Sequence, residues 1–424
     1  MIINNISELI GNTPLLKIPK SVHNVPNLNL YCKLEYRNAF GSIKDRAALN
    51  MIKDNIKDCQ KNNKTVLEAS SGNTARALSL LSSINNLKFK TITNRIKTPE
   101  IKNHLKLFNA EIEELPGISE CPDPNNPEDY MVIAKNLAEK NPDTIFYTDQ
   151  YFSNKNPDAH KKTGEELCND LDKIDYFLPI LGTAGSATGI GNVLKEKRNS
   201  KVIGIVANQE NYVPGGRNIN EMWEVGFYKK SFYDDIISGS VDEAIEGNLE
   251  LIRKVGILCG PTTGLAYKKT KDYFNTNKPK SEVNAVFIAC DGFEQYLSYY
   301  DKFSPDLLNK KSKKSLYDSM CNSTDYSIKE ISAEKLKEQI NDVTIIDIRS
   351  KKSFEMINLP NSINIPEHEI DSYFENSIPF SKNRKLVVVC NKGIRSKKLV
   401  KLLTENGYIS ESLKDGIYSW KFNK

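Results

Sequence analysis

Tyr176-Phe177-Leu178-Pro179-Ile180-Leu181-Gly182-Thr183-Ala184-Gly185-Ser186-Ala187-Thr188-Gly189 passes from an apolar stretch through a turn of small residues into a helical pattern over Gly189 to Glu196. The apolar part, Tyr176 to Leu181, predicts a strand, with Pro179 suited to a place near its end because proline cannot donate to a ladder. A strand that hands the chain through glycines to a helix aims several backbone N–H groups at one point, where an anion such as a phosphate fits. A dinucleotide fingerprint is the rival reading of such a turn, and a lone glycine-rich turn supports it weakly.

The alternation extends in both directions. Thr65-Val66-Leu67, Lys88 to Thr93, Thr144 to Tyr147, Lys201 to Ala207 and Val283 to Ala289 read as strands, with helical patterns between several of them, such as Ala75 to Ile84. From Asn5 to about Phe303 this predicts an α/β unit, a mainly parallel sheet with helices on both faces. The text then turns polar, with Asn309-Lys310-Lys311-Ser312-Lys313-Lys314-Ser315 at its centre, so residues 304–327 are expected to form a linker. A second, smaller α/β unit is expected over residues 328–424.

The chain has 424 residues, with 59 Lys and Arg against 54 Asp and Glu, a net charge of +5. That excess is small and dispersed, which gives nucleic-acid binding no support. No apolar run reaches the roughly 18 residues of a membrane span. Met1-Ile2-Ile3-Asn4-Asn5 lacks the basic and apolar regions of a secretory signal, so a cytoplasmic protein is expected. The eight cysteines include no C-x-x-C pair and lie near no histidine in sequence, so neither a metal site nor a disulfide framework is expected.

Three further segments carry chemistry. In Asn38-Ala39-Phe40-Gly41-Ser42-Ile43-Lys44-Asp45-Arg46, a lysine opens a helical stretch expected to reach Ile56. The helix dipole disfavours its ammonium form there and so favours the amine that a Schiff base needs. In Ser70-Ser71-Gly72-Asn73-Thr74, hydroxyl and amide side chains between a strand and a helix suit a helix cap and a carboxylate site. Gly260-Pro261-Thr262-Thr263-Gly264 presents two hydroxyls on a turn.

Together, in this order and spacing, the four segments resemble the β-family of pyridoxal-phosphate enzymes, whose fold is that of the tryptophan synthase β-subunit, and above all its cysteine synthases and cystathionine β-synthases. Ile10-Gly11-Asn12-Thr13-Pro14-Leu15, Asp149-Gln150-Tyr151 and Asn156-Pro157-Asp158-Ala159-His160 extend the resemblance over about residues 5 to 303. It implies that Lys44 holds pyridoxal phosphate as a Schiff base and serves as the catalytic base. Asn73 would bond the ring oxygen, Gly182, Thr183, Ala184, Gly185 and Ser186 would bind the phosphate, and Thr262 would face the pyridine nitrogen. Ser70, Ser71, Thr74 and Gln150 would hold the substrate carboxylate. The sequence departs from the family at Ala184 and Ser186, where glycine and threonine are usual, and at Ser70 and Thr262. An alanine keeps the phosphate turn's backbone donors only if it needs no positive φ.

Arg217, in Pro214-Gly215-Gly216-Arg217-Asn218-Ile219-Asn220-Glu221, follows two glycines that let its guanidinium approach a small ligand. A guanidinium matches a phosphate dianion bidentately and finds no charge on an acetyl ester. The segment is similar to the one that recognises phosphate in cysteine synthases acting on O-phosphoserine.

Near the C-terminus, Lys385-Leu386-Val387-Val388-Val389-Cys390 reads as a buried strand ending in a thiol, followed by Asn391, Lys392, Gly393, Ile394 and Arg395 and a helix from Ser396 to Asn406. Converging N–H groups and nearby cations favour a thiolate or persulfide. With Val343 to Arg349, Phe354-Glu355 and Asp415 to Trp420, this resembles rhodanese domains, and the six-residue loop Cys390 to Arg395 has the length of their sulfurtransferase form. The expected function is cysteine synthesis from O-phosphoserine or O-acetylserine with sulfide or carried sulfur, by a homodimer, with a sulfur-carrier protein as a partner of Cys390. The alternatives are a cystathionine β-synthase, a cysteine desulfhydrase and a non-enzymatic sulfur-relay scaffold.

Overall fold

The computed structural model describes residues 2–94, 96–115, 126–209, 211–222, 226–308, 328–374 and 378–422. The chain divides into two compact units, residues 1–308 and 309–424. Residues 309–327, the greater part of the expected linker, lie outside the described residues, whereas Pro305–Leu308 forms a 3₁₀ turn of the first unit.

The first unit holds two sheets. The larger runs β1 (Leu15–Lys17), β2 (Leu28–Lys33), β10 (Val283–Ile288), β7 (Tyr176–Phe177), β8 (Lys201–Ala207), β9 (Asp235–Gly239), parallel throughout except for the β1–β2 pair. The smaller is the all-parallel β5 (Glu111–Leu115), β4 (Lys88–Asn94), β3 (Thr65–Ala69), β6 (Ile145–Tyr147). The expectation of parallel sheets in an α/β unit holds, with two sheets in place of one. β8 occupies the stretch expected of it. β7 stops at Phe177, four residues short, because Pro179 offers no N–H, and only a single bridge from Ile180 to Ile205 continues it. The helix expected from Lys44 to Ile56 ends at Ile52, and Ile56–Lys61 forms a separate one.

A buried ionic network fixes the helix Lys44–Ile52. Arg46 donates through Nε and Nη2 to Glu35, which follows β2, at 2.8 Å each, and through Nη1 and Nη2 to Glu166 of the helix Lys155–Asp170 at 2.7 Å each. Lys33, at the end of β2, lies 3.1 Å from Glu166 and donates to the Thr13 carbonyl at 2.7 Å. Two cations and two anions therefore balance inside the fold.

The second unit is a five-stranded parallel sheet, β11 (Glu330–Ile331), β15 (Ser410–Leu413), β14 (Lys385–Val389), β12 (Val343–Asp347), β13 (Ser362–Asn364). Leu386 to Val389 of β14 are apolar and buried, and the apolar side chains of β12 and β14 alternate between two separate clusters, one on each face of the sheet. Among the described residues no helix is long and apolar enough to cross a membrane, and no group of three metal-ligating side chains occurs.

Partial burial pushes the Glu166 carboxyl up, but Arg46 outweighs it, aided by the Asn12 N–H and Lys33, and the group sits at about 2, below the ordinary 4.5. A depressed carboxyl stabilises the fold fully above its unfolded value, and that stability is lost as pH falls from 4.5 towards 2. Glu166→Gln is expected to cost roughly 3–5 kcal/mol at neutral pH, the range for breaking a buried pair from one side, and to flatten this acid limb. Denaturant unfolding from pH 7 downward checks it, and an unchanged midpoint at neutral pH contradicts the reading.

Candidate active site

The first unit builds its site at the carboxyl ends of the strands, where a parallel α/β sheet opens its crevice. Beyond β10 the chain reaches Cys290 and Asp291. The Cys290 carbonyl accepts from Ile43 N–H at 2.7 Å, and Ser42 bridges Asp291. The turn before Lys44 is then closed by Asp45, which accepts from Phe40 N–H at 2.7 Å and from Ser42 Oγ at 3.0 Å, with Gly41 at φ +88°. Lys44 thus enters its helix at a fixed point. Burial holds its ammonium below the ordinary value, with Cys290 and Asp291 pulling the other way.

The helix Asn73–Ile84 points its N-terminus at the same space. The cap residue itself has no side chain, so the hydroxyl capping expected of this segment comes from Ser70, two residues further back, through long bonds. Gly72 occupies the cap position, and Ser70 Oγ stands 3.4 Å from both Gly72 N and Ala75 N. Thr74 Oγ1 donates to Gln150 Oε1 at 2.7 Å, and Gln150 Nε2 donates to the Ala69 carbonyl at 2.9 Å. Asn73 Nδ2 donates to Asp291 Oδ2 at 2.6 Å.

The glycine turn follows β7 and opens the helix Gly185–Arg198, four residues earlier than the pattern suggested. Two of its glycines have no room for a side chain. A Cβ on Gly182 would lie 2.6 Å from the Gly215 carbonyl, and one on Gly185 2.5 Å from the Asn156 amide. Ala184 sits at φ +64°, so the position does require the left-handed conformation. The alanine carries a strain of about 1 kcal/mol relative to glycine. Beside the turn, Gly215 at φ +78° leads into Arg217, which is 4% exposed. Arg217 N–H donates to the Leu181 carbonyl at 2.6 Å, and its guanidinium lies over the Tyr228 ring at 5.4 Å.

These elements enclose one cavity of about 370 Å³. Lys44, Ser70, Ser71, Asn73, Thr74, Gln150, Gly182, Thr183, Ala184, Ser186, Arg217 and Thr262 all line it. Gly185 alone of the expected residues is set back from the wall, behind the turn. Among the described residues Thr262 Oγ1 is buried with no nitrogen or oxygen partner, and the Cys290 thiol is near it. Burial pushes that thiol up to about 12. A ring with a polar nitrogen suits the orphaned hydroxyl, and a phosphate suits the glycine turn at a helix N-terminus, so the residues present fit pyridoxal phosphate. Lys97, Tyr212, Cys290, Asp291 and Tyr296 also line the cavity and were not anticipated. The position of Cys290 and Asp291 just past a predicted strand was the one signal available for them.

In the second unit Cys390 directly follows β14 and is buried. Its sulfur accepts from Ser396 N–H at 3.4 Å and lies 3.2 Å from Ser396 Oγ, which is 2.8 Å from Ser412 Oγ. The loop turns at Gly393 (φ +76°), and Gly416 (φ +60°), at the start of the last helix, packs against it so closely that a Cβ there would lie 2.3 Å from the Cys390 carbonyl. Asn391, Lys392, Ile394 and Arg395 are exposed around it. Arg395 pairs with Glu367 at 2.9 Å. The closest polar contacts of the thiol are therefore with Ser396, which sequence reasoning read only as the start of a helix.

The model of the pyridoxal-phosphate dependent enzymes matches residues 6–291, and that of the rhodanese-like domain residues 332–423. Cysteine synthase of Staphylococcus aureus is 31% identical over 309 residues, 70% of this chain and 96% of its own. Cystathionine beta-synthase of Apis mellifera is 30% identical over 326 residues, 70% of this chain and 61% of its own. Among solved structures, a hydrogen sulfide-producing enzyme of Fusobacterium nucleatum aligns with TM-score 0.61 and 30% identity, over 70% of this chain and all of its own. Cysteine synthase of Entamoeba histolytica aligns with TM-score 0.60 and 27% identity, over 71% and 90%. The chain belongs to the pyridoxal-phosphate-dependent enzymes, in the group of the cysteine synthases and cystathionine β-synthases, and carries a rhodanese-like domain at its C-terminus.

Proposed function

We propose that the first unit is a cysteine synthase that replaces the β-substituent of O-phosphoserine with sulfur, and that Cys390 carries sulfur as a persulfide. The observation that carries the first part is the meeting of Lys44, Asn73, the Gly182–Ser186 turn and Thr262 on one cavity wall. The catalytic unit spans residues 1–308, five beyond the boundary expected from sequence, and the sulfur-carrying unit residues 328–424, joined by residues 309–327. The enzyme works as a cytoplasmic homodimer, with a sulfur-carrier protein serving Cys390.

Bound here, pyridoxal phosphate supplies the electron sink that makes an amino acid's α-proton acidic. The glycine turn holds its phosphate, Asn73 its ring oxygen and Thr262 its pyridine nitrogen. The open N-terminus of the helix Asn73–Ile84, with Ser70, Ser71, Thr74 and Gln150, holds the substrate carboxylate. Lys44 Nζ, kept towards the amine by burial, takes the α-proton. A threonine hydroxyl does not protonate the pyridine nitrogen strongly, which favours early departure of the β-substituent. Arg217, held over an aromatic ring within the cavity wall, faces the leaving phosphate, and sulfide adds to the β-carbon in its place.

At Cys390 a thiolate attacks the outer sulfur of thiosulfate, the S–S bond breaks, sulfite leaves and the cysteine keeps a sulfane sulfur. The Ser396 N–H and hydroxyl are placed to bear the negative charge on sulfur. The honeybee relative favours a second reading, cystathionine formation, and the Fusobacterium structure a third, sulfide release from cysteine. Product identity separates them.

Arg217→Ala is expected to lower kcat/KM for O-phosphoserine by roughly 1.5–3 kcal/mol, the range for a charge-assisted hydrogen bond, while leaving O-acetylserine nearly unaffected. Steady-state kinetics with both substrates decides it, since equal losses, or a wild-type preference for the acetyl ester, remove Arg217 from leaving-group recognition. Cys390→Ser is expected to end sulfur uptake from thiosulfate and to leave sulfide-dependent cysteine synthesis intact. Loss of both activities would mean that the two sites do not act as separate centres.

A further inference from the structure

Asp291 lies just past β10, and one of its carboxylate oxygens gathers three donors. Oδ2 accepts from Asn73 Nδ2 at 2.6 Å, from Gln295 Nε2 at 3.1 Å and from the Tyr296 hydroxyl. Gln295 Nε2 also donates to Asn73 Oδ1 at 3.1 Å. Behind them Arg76 braces the group, donating to Gln295 Oε1 at 2.8 Å and to the Phe40 carbonyl at 2.8 Å, with Asn73 Oδ1 at 3.5 Å.

A primary amide has two N–H donors and one carbonyl oxygen. Here the Asn73 oxygen faces Gln295 and Arg76, and one N–H is committed to Asp291. Turned over, the amide would set its oxygen against a carboxylate and its N–H groups against donors, so the orientation is fixed from both ends. The second Nδ2–H has the Tyr296 hydroxyl nearby and, on a residue that lines the cavity, is the donor left for a ligand. Asp291 Oδ1 is buried without a partner among the described residues, and Asp291, like Asn73, lines the cavity.

We propose that Asp291 is the positioning residue for the cofactor's oxygen-bearing ring edge: its carboxylate fixes the Asn73 amide so that the remaining N–H faces the bound ring. This rests on the reading of Asn73 as a cofactor ligand. Gln295 and Arg76 act in the same clamp, so the ring oxygen meets a donor whose orientation is set before the cofactor arrives.

The test is titration of the full-length apoprotein with pyridoxal phosphate, followed by the absorbance of the bound cofactor, with thermal melting of each apoprotein alongside. Asp291→Ala is expected to weaken binding about tenfold or more, as loss of a hydrogen bond to a charged group would. Asp291→Asn, which keeps a carbonyl oxygen for Asn73, is expected to recover most of the affinity. In an Asn73→Ala background Asp291→Ala is expected to add nothing, which a merely structural residue would not do. If Asp291→Ala does not fold, Gln295→Leu is expected to weaken binding by about threefold, again only when Asn73 is present. Wild-type affinity in Asp291→Ala, or the same loss with and without Asn73, overturns the proposal and leaves the assignment of Asn73 standing. Unchanged affinity in Asn73→Ala overturns that assignment, and this proposal with it.

Discussion

The guanidinium of Arg46 is gripped on two sides by carboxylates that come from distant parts of the first unit, Glu35 after β2 and Glu166 on the helix Lys155–Asp170. A planar fork satisfied bidentately from both sides has one orientation, and it fixes the first turn of the helix that Lys44 opens. Replacing such a network with apolar groups often costs no stability, so its value here is geometric. Gly11, at φ +100°, passes so close that a Cβ there would lie 3.2 Å from Arg46 Nη1, which ties the N-terminal segment to the same point. Lys33 completes the charge balance and links β2 to Glu166. Lys44 is thereby set against Cys290 and Asp291 by structure outside the cavity.

The places where local rules are broken gather at the cavity. Ala184 adopts a conformation that glycine would take without strain, Thr262 Oγ1 and Asp291 Oδ1 are buried with no nitrogen or oxygen partner among the described residues, and the cap position of the helix Asn73–Ile84 is a glycine. Each costs stability in the protein alone, and each is relieved or used by a bound anion or ring. The second unit concentrates its special conformations at Cys390, where Gly393 and Gly416 both take positive φ. In both units, backbone that only small residues tolerate lies where a ligand or a reacting sulfur approaches.

β8, with Val202, Ile203, Ile205 and Val206 on either side of Gly204, was legible in sequence because a strand buried on both faces reads as an apolar run. β5 was not, since Glu111-Ile112-Glu113-Glu114-Leu115 carries three carboxylates and its place at the sheet edge leaves it half exposed. β1, β2 and β9 are short or interrupted by polar residues and went unread for the same reason. Lys44, the Gly182–Ser186 turn and Cys390 were legible because their chemistry needs neighbours adjacent in the chain. Asp291, Lys97 and Tyr212 become neighbours of the site only when strand ends from two sheets meet, a relation that no local pattern carries. Ser396 reaches Cys390 through one turn of loop and helix, and its role depended on how tightly Gly393 turns the chain.

The account stands on one cavity, served by Lys44, that exchanges the β-substituent of an activated serine for sulfur. Mass-spectrometric identification of the product from O-phosphoserine and sulfide tests this most directly, with wild-type and Lys44→Ala proteins compared after addition of pyridoxal phosphate. The account predicts L-cysteine with one phosphate released for each molecule formed by the wild type, and neither product from Lys44→Ala. Cysteine formed equally by both proteins, or no cysteine from the wild type, would contradict it.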